Sequence, residues 1–427
     1  MLIAASQPLA GGLLDAVALS AWRSPCPRTP CPQEELIVKL LLYSHFFAPR
    51  IGGVETVVMS LARGLSQCPR SGPKGEFELT LVTQTPCGSF DDSSLPFLVV
   101  RQPNFKSLRK LIRSADVIHV AGAAISPILL GLVLRKPVVV EHHGFQTICP
   151  TGQLFQEPEN IPCPGHFMAE RFTHCLACAP TPRPFASFRL WLLTFFRRFL
   201  CQHVAANITP TNWLAGMLQL SRTETVPHGL ALSPPLLRLP ASRPVPVLVF
   251  LGRIVTTKGL LLLLEAARLL QQQNRLIELK VVGDGPERNS LERLAEEWKL
   301  ATQVRFLGRL PDSQIADLLA SADLLVVPSL AGEVFGMVIA ENMLRGIPIL
   351  ASDLGAFVEV LGNAGRTFKT GDSADLARQI VQLLDDPAAS QRLGVAAHQR
   401  VRDFFALSRM IEAHAQIYRR LAPDGTA

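Results

Sequence analysis

The chain has 427 residues, a formal net charge of +7, 48% hydrophobic residues and 18% charged ones. At about 150 residues per domain it is too long for one ordinary core, and it is too apolar for wholesale disorder, so two large globular units are expected. The positive balance favours anionic partners such as phosphates, nucleotides or an acidic membrane surface, and the lack of a dense Lys/Arg run argues against nucleic acid.

Residues 1–35 show no sustained period and read as a leader outside the core. Residues 1–22 contain no Lys or Arg, so the charged start of a secretory signal is missing there. The nine cysteines form no small disulfide framework, and a reducing, cytoplasmic setting is expected.

From residue 36, "LIVKLLLYS", "FELTLVTQ", "ADVIHV" and "KPVVVEH" are short apolar runs followed by turn residues or helical patterns, the signature of parallel strands with crossover helices. The segment "VIHVAGAAISPILLGLVL", 117–134, nears membrane-span length but is interrupted by His119, Ser126 and Pro127, and reads as a strand running into a core helix. Next, "CPTGQLFQEPENIPCPGHFMAERFTHCLAC" carries Cys149, Cys163, Cys175 and Cys178. Four thiols with a Cys-x2-Cys pair suit a structural zinc, with His166 and His174 in reserve; the plainer alternative is buried thiols without metal. The stretch "SFRLWLLTFFRRFLCQHVA", 187–205, has two readings: a core helix leading into the strand "ANITPT", or an interfacial helix making a peripheral contact at the inner face of a membrane.

The first lobe thus covers 36–230, and the Pro-rich "ALSPPLLRLPASRPVPV", 231–247, is an extended linker. Alternation restarts in a second lobe, 248–404, with strands at "VPVLVFLGRI", "IELKVVGDG", "QVRFLGRL", "ADLLVVPS" and "GIPILAS". A last amphipathic helix at about 405–427 packs back on the first lobe. The fold class is α/β, two Rossmann-like doubly wound lobes facing a cleft, with ligands at the carboxyl ends of the strands.

Three strand ends of the second lobe carry the candidate site. "FLGRIVTTKG" supplies Arg253 and Lys258, "VVGDGP" a turn at Gly283 and Gly285, and "GEVFGMVIAEN" two carboxylates, Glu333 and Glu341. Gly336 opens a helix whose first amides, on Gly336, Met337 and Val338, suit a diphosphate. Glu333 precedes that terminus, and Glu341 lies roughly 8 Å along the axis at ~1.5 Å per residue. A nucleotide sugar has this layout, with Glu333 on the hexose hydroxyls, the helix end on the phosphates and Glu341 on the ribose. Taken singly, each feature also reads as a solvated surface charge or an ordinary glycine turn.

In this combination, over about residues 36–420, the chain resembles the retaining glycosyltransferases of family 4, which have the GT-B fold and use nucleotide-sugar donors. The resemblance implies that Glu333 contacts the donor sugar and Glu341 the ribose, and that Arg253 and Lys258 neutralise the diphosphate. "APRIGGVE" is similar to the family's N-terminal glycine loop, here Gly52 and Gly53 with Glu55, and "VEHHGFQTICP" places the active-site histidine at His143, with His142 as the other choice. The implied donor set is Gly52, Gly53, Arg253, Lys258, Gly283, Gly285, Glu333, Phe335, Gly336, Met337, Val338 and Glu341. The implied catalytic set is Glu333, His143, Lys258 and Arg253. "TVPHGL" departs from the family's usual Pro-Asn-Gly by placing His228 before the glycine.

No Asp-x-Asp motif stands in the chain to hold a diphosphate-bridging metal, so no cofactor is expected for catalysis. The expected partners are a nucleotide-sugar donor and a glycan, lipid-linked or small-molecule acceptor. Alternatives are a sugar phosphorylase or sugar-nucleotide epimerase on the same fold, and a catalytically silent sugar-nucleotide-binding protein. A nicotinamide oxidoreductase is disfavoured, because "GDGPER" has Arg288 where the third glycine of the dinucleotide fingerprint belongs.

Overall fold

The computed structural model describes residues 37–50, 52–67, 76–156, 159–178, 184–236 and 244–422. The expected leader and the middle of the expected linker, 237–243, lie outside them.

Continuous apolar runs become strands, most of them buried on both faces, with the edge strand Leu98–Arg101 half exposed. In the first sheet these are β1 (Val38–Ser44), β2 (Phe77–Thr83), β3 (Leu98–Arg101), β4 (Val117–Ala121) and β5 (Val138–Glu141). A two-residue antiparallel hairpin, β6 (Phe155–Gln156) with β7 (Ile161–Pro162), stands apart, and β8 (Ala206–Thr209) and β9 (Thr223–Thr225) complete the sheet. Its order is β3-β2-β1-β4-β5-β8-β9, all parallel. The 117–134 segment divides as expected, β4 leading into the helix Ile125–Val133.

The second sheet comprises β10 (Val247–Leu251), β11 (Glu278–Val282), β12 (Val304–Gly308), β13 (Leu324–Val327), β14 (Ile349–Ser352) and β15 (Arg366–Phe368). It is also parallel, ordered β12-β11-β10-β13-β14-β15. Strand order reverses between β1 and β4 in one sheet and between β10 and β13 in the other. Each reversal splays the crossover helices to opposite faces and leaves a crevice at the strand ends.

Two helices carry the chain back. Pro387–Phe404 packs on the second lobe, burying Ala397 and Val401 in its core, whereas Leu407–Leu421 inserts Met410, Ala415, Ile417 and Tyr418 into the core of the first. Between them Leu230 and Ala406 form a parallel bridge, Leu230 N–H donating to Phe405 O and Leu407 N–H to Leu230 O, each at 2.8 Å. The outward and returning crossings therefore run side by side.

The lobes also meet directly. Thr211 Oγ1 donates to Val334 O at 3.0 Å, and the Glu359 carboxylate accepts from the backbone N–H groups of Asn212 and Trp213 at 2.8 and 2.7 Å. An acid from the second lobe thus meets the positive end of the first-lobe helix Asn212–Leu218.

Candidate functional site

The switch point of the second sheet gathers the charged residues. Beyond β10 the chain passes Arg253 into a tight turn, Thr256–Lys258, ended by Gly259 at φ +68°. A Cβ at Gly259 would lie 1.9 Å from Pro328 O, so only glycine lets the loops after β10 and β13 lie together. Leu330 N–H then donates to Thr257 O at 2.8 Å. This contact brings Lys258 Nζ into an ion pair with Glu333 Oε1, which also accepts from Ser329 Oγ at 3.1 Å. The pair is mostly shielded, the lysine side chain 26% and the glutamate 10% exposed.

Gly283 and Gly285 stand behind this turn. A Cβ on either would meet backbone, 1.8 Å from Gly252 O and 2.1 Å from Ile254 O, while Ile254 N–H donates to Asp284 O at 3.0 Å. Packing of the β10 and β11 loops, backbone against backbone, accounts for both glycines. The resulting cleft, about 510 Å³, is lined by Arg253, Thr256, Lys258, Glu287 and Gly332 of the second lobe and by Gln153, Phe155 and Asn160 of the first.

Gly336 enters the helix Met337–Leu344 at φ +91°, and the helix's first amides have no acceptor within it. Opposite begins the helix Gly53–Ser66, capped by Gly52, and a Cβ on Gly53 would come 3.5 Å from Met337 Cγ. The starts of two helices, one from each lobe, therefore lie close together, and the partial positive charge at each N-terminus favours an anion. Glu341 lies further along the second helix. Burial raises its carboxyl above the ordinary value, with Arg345 pulling against the shift and Asp312 adding to it. No side chain among the described residues hydrogen-bonds it.

Three residues sit differently from what their neighbours in sequence suggest. The Phe335 ring is buried in the second-lobe core, edge-on to Phe405 at 5.3 Å, so this residue has only its backbone to give a ligand. His143 points inward, Nε2 3.4 Å from Glu141 Oε2, with its ring stacked on His228 at 5.2 Å. His142 is fully buried, its Nε2 2.9 Å from Asn207 Oδ1, and burial takes its pKa down to about 4. His228 in turn packs edge-on to Phe335 at 5.1 Å.

The four cysteines line one small pocket with His166 and His174, whose rings stack at 4.4 Å. Burial and the neighbouring thiols push Cys175 up to about 12, and Cys178 Sγ donates to Phe155 O at 3.2 Å. Among the described residues no three of these sulfur and imidazole ligand atoms lie mutually within 4.8 Å, whereas Glu141 with His119 and His414, and Glu141 with His143 and His228, do.

Sequence reasoning missed Ser329, the Thr256–Glu287 hydrogen bond, and Gln153 and Asn160 in the cleft wall. Ser329 had a local signal, a small polar residue just past a strand end and four before Glu333. Gln153 and Asn160 had none, because they reach the site only when the lobes meet.

Residues 239–400 match the family model described as Glycosyl transferases group 1. The chain is 35% identical over 184 residues to a phosphatidyl-myo-inositol mannosyltransferase of Mycobacterium leprae, covering 42% of this chain and 47% of that one. It is 32% identical over 173 residues to a glycogen synthase of Mycobacterium tuberculosis, covering 40% and 42%. The chain thus spans less than half the length of these relatives. Among solved structures it is similar to a sucrose-phosphate synthase from Thermosynechococcus elongatus, with a TM-score of 0.67, 20% identity, and coverage of 90% of this chain and 99% of that one. It also resembles Anabaena HepE in complex with UDP and glucose, with a TM-score of 0.65, 18% identity, and coverage of 89% and 98%. These likenesses concern the fold, which is the two-lobed GT-B architecture.

Proposed function

We propose that this chain is a retaining glycosyltransferase that moves a hexose-type sugar from a nucleotide-sugar donor to an acceptor hydroxyl, with no metal in the chemistry. The observation that carries this reading is the Lys258–Glu333 pair at the switch point of the second sheet, beside Arg253 and the start of the helix Met337–Leu344. The pair joins a cation for a diphosphate, Lys258, which lines the cleft walled by both lobes, to a carboxylate for sugar hydroxyls.

In this reading the second lobe holds the donor and the first lobe the acceptor. As the bond from the anomeric carbon to the phosphate oxygen breaks, its electron pair leaves with the nucleoside diphosphate. Arg253, Lys258 and the helix amides meet that charge, and being fixed beforehand they need not reorganise. The acceptor hydroxyl attacks the same face, its oxygen bonds to the anomeric carbon, and its proton passes to the leaving phosphate oxygen. Glu333 positions the hexose, Glu341 takes the ribose hydroxyls, and His143, whose Nε2 turns inward to Glu141, orients the sugar through its other ring nitrogen. Glu341 is partly buried, and its carboxyl oxygens can accept hydrogen bonds from ribose hydroxyls.

The acceptor is proposed to be lipid-linked. The helix Pro184–Gln202 exposes Phe185, Phe188, Leu192, Phe196 and Phe199 at helical spacing, with Arg189 exposed on the same helix. Apolar rings flanked by a cation suit the headgroup region of an anionic bilayer, on the cytoplasmic side. No helix among the described residues is long and apolar enough to cross a membrane.

A panel of nucleotide sugars tests the donor reading: one donor should raise Tm and undergo slow hydrolysis without acceptor. Phosphate-dependent turnover would indicate a phosphorylase, acceptor-free isomerisation an epimerase, and binding without hydrolysis a silent binder. An NMR spectrum of the product reads the anomeric outcome, and inversion would overturn the mechanism.

A further inference from the structure

β5 ends at Glu141 with its carboxylate wholly inside the protein. Its Oε2 lies 3.2 Å from His119 Nε2, 3.4 Å from His143 Nε2 and 3.8 Å from His414 Nε2, and its Oε1 lies 3.5 Å from His228 Nδ1. Neither carboxylate oxygen, nor any of the four nitrogens facing it, makes a hydrogen bond of acceptable geometry. Buried polar atoms left this way are costly, and folded proteins avoid them unless another group joins them.

The outer nitrogens identify the joining group. His414 Nδ1 sits 2.8 Å from Met410 O. A carbonyl only accepts, so Nδ1 carries the hydrogen, and in the neutral ring Nε2 turns a lone pair toward a carboxylate that has only lone pairs of its own. His119 Nδ1 is held 2.9 Å from the buried Tyr418 hydroxyl. An imidazole fixed through one nitrogen, with the other directed at a shared centre, is the arrangement that orients metal-binding histidines. His143 and His228 have no such partner among the described residues. A tetrahedral ion with bonds of about 2.0–2.1 Å sets neighbouring ligand atoms about 3.3–3.4 Å apart, close to the 3.2 and 3.8 Å found here.

We propose that Glu141, His119 and His414 form a structural site for a divalent cation of the zinc class. The ligands come from β4, from the end of β5 and from the returning helix Leu407–Leu421. The ion fastens the end of the chain to the first sheet at the point where both lobe crossings meet. It takes no part in the transfer, and the site stands whether or not the donor reading holds.

The test uses the full chain, freed of any polyhistidine tag and purified without chelator. Elemental analysis is expected to find about one zinc per chain. His119→Gln and His414→Gln should each lose it, and a Cys175→Ser/Cys178→Ser double variant should keep it. Cobalt(II) in the reconstituted protein should show an imidazole and carboxylate ligand field without thiolate charge transfer. Chelator should lower Tm and zinc should restore it, a readout that remains if the histidine variants do not fold. Wild type that takes up neither zinc nor cobalt overturns the proposal. So does metal that persists in His414→Gln, or that shows thiolate charge transfer and disappears with the cysteines.

Discussion

Replacing Lys258 by alanine tests the centre of the site, because two magnitudes can be worked from its surroundings. In the wild type the ammonium neutralises Glu333, whose other contact to the same oxygen is Ser329 Oγ at 3.1 Å. Exposed pairs contribute about 0–1 kcal/mol, and breaking fully buried ones costs about 3–5. At 26% and 10% exposure this pair lies between, so Lys258→Ala should cost about 1–2 kcal/mol. For a lobe of this size that is a fall in Tm of roughly 3–6 °C. Loss of a fixed charge that meets the leaving diphosphate should cost turnover far more, about 10²–10³-fold, or about 2.7–4 kcal/mol of barrier. The assay is steady-state transfer with the donor found in the panel, run beside thermal melts, on Lys258→Ala, Glu333→Gln and the double variant. Because each partner's removal strands the other, the stability losses should be less than additive. Single variants that both turn over within about threefold of wild type would refute the reasoning, whatever their Tm.

Other substitutions examine the supports of the site. Gly259→Ala sets a Cβ 1.9 Å from Pro328 O in a left-handed backbone, and should lower stability by at least about 2 kcal/mol together with turnover, read by melts and assay. For Glu341 the sign of the pH effect follows from its raised folded pKa: the protonated form is favoured by folding, so its contribution is complete below the ordinary carboxylate value and is lost as pH rises through the folded one. Melts from pH 4 to 8 should therefore show Glu341→Gln gaining Tm over wild type toward neutral pH but not at the acid end, while KM for the donor rises about tenfold. On the exposed helix face, Phe188→Ser/Phe199→Ser should weaken co-sedimentation with anionic vesicles at least about tenfold, since each inserted ring contributes about 1–3 kcal/mol, and should leave donor hydrolysis unchanged. Unchanged co-sedimentation would remove the membrane contact.

Local chemistry wrote much of the fold into the sequence. Runs such as "VKLLLYS" and "VLVFL" are apolar on both faces, and only a sheet covered by helices on both sides accommodates them, so parallel strands and crossover helices were legible. The same holds for Arg253, Lys258, Glu333 and Gly336, because in a doubly wound sheet residues just past strand ends share one edge. What had no local signal stayed hidden. The strand Leu98–Arg101 is short and half exposed, and the β6–β7 hairpin has two residues a side. Phe335 adjoins Gly336, yet the direction of its Cα–Cβ bond sends the ring into the core and away from the cleft. The stretch at 187–205 reads more plainly as a core helix than as an interfacial one, and only packing leaves Phe185, Phe188, Phe196 and Phe199 outside.

Element types, the doubly wound pattern and the residues at the strand ends of the second lobe follow from periodicity and from neighbours within a few positions. The Lys258–Glu333 pair, the approach of Gly53 to Met337, and the burial of Glu141 among His119, His143, His228 and His414 arise only from long-range folding. Those residues are drawn from almost the full length of the chain. No spacing rule joins them, because the strand order and the returning helix, not sequence proximity, bring them together.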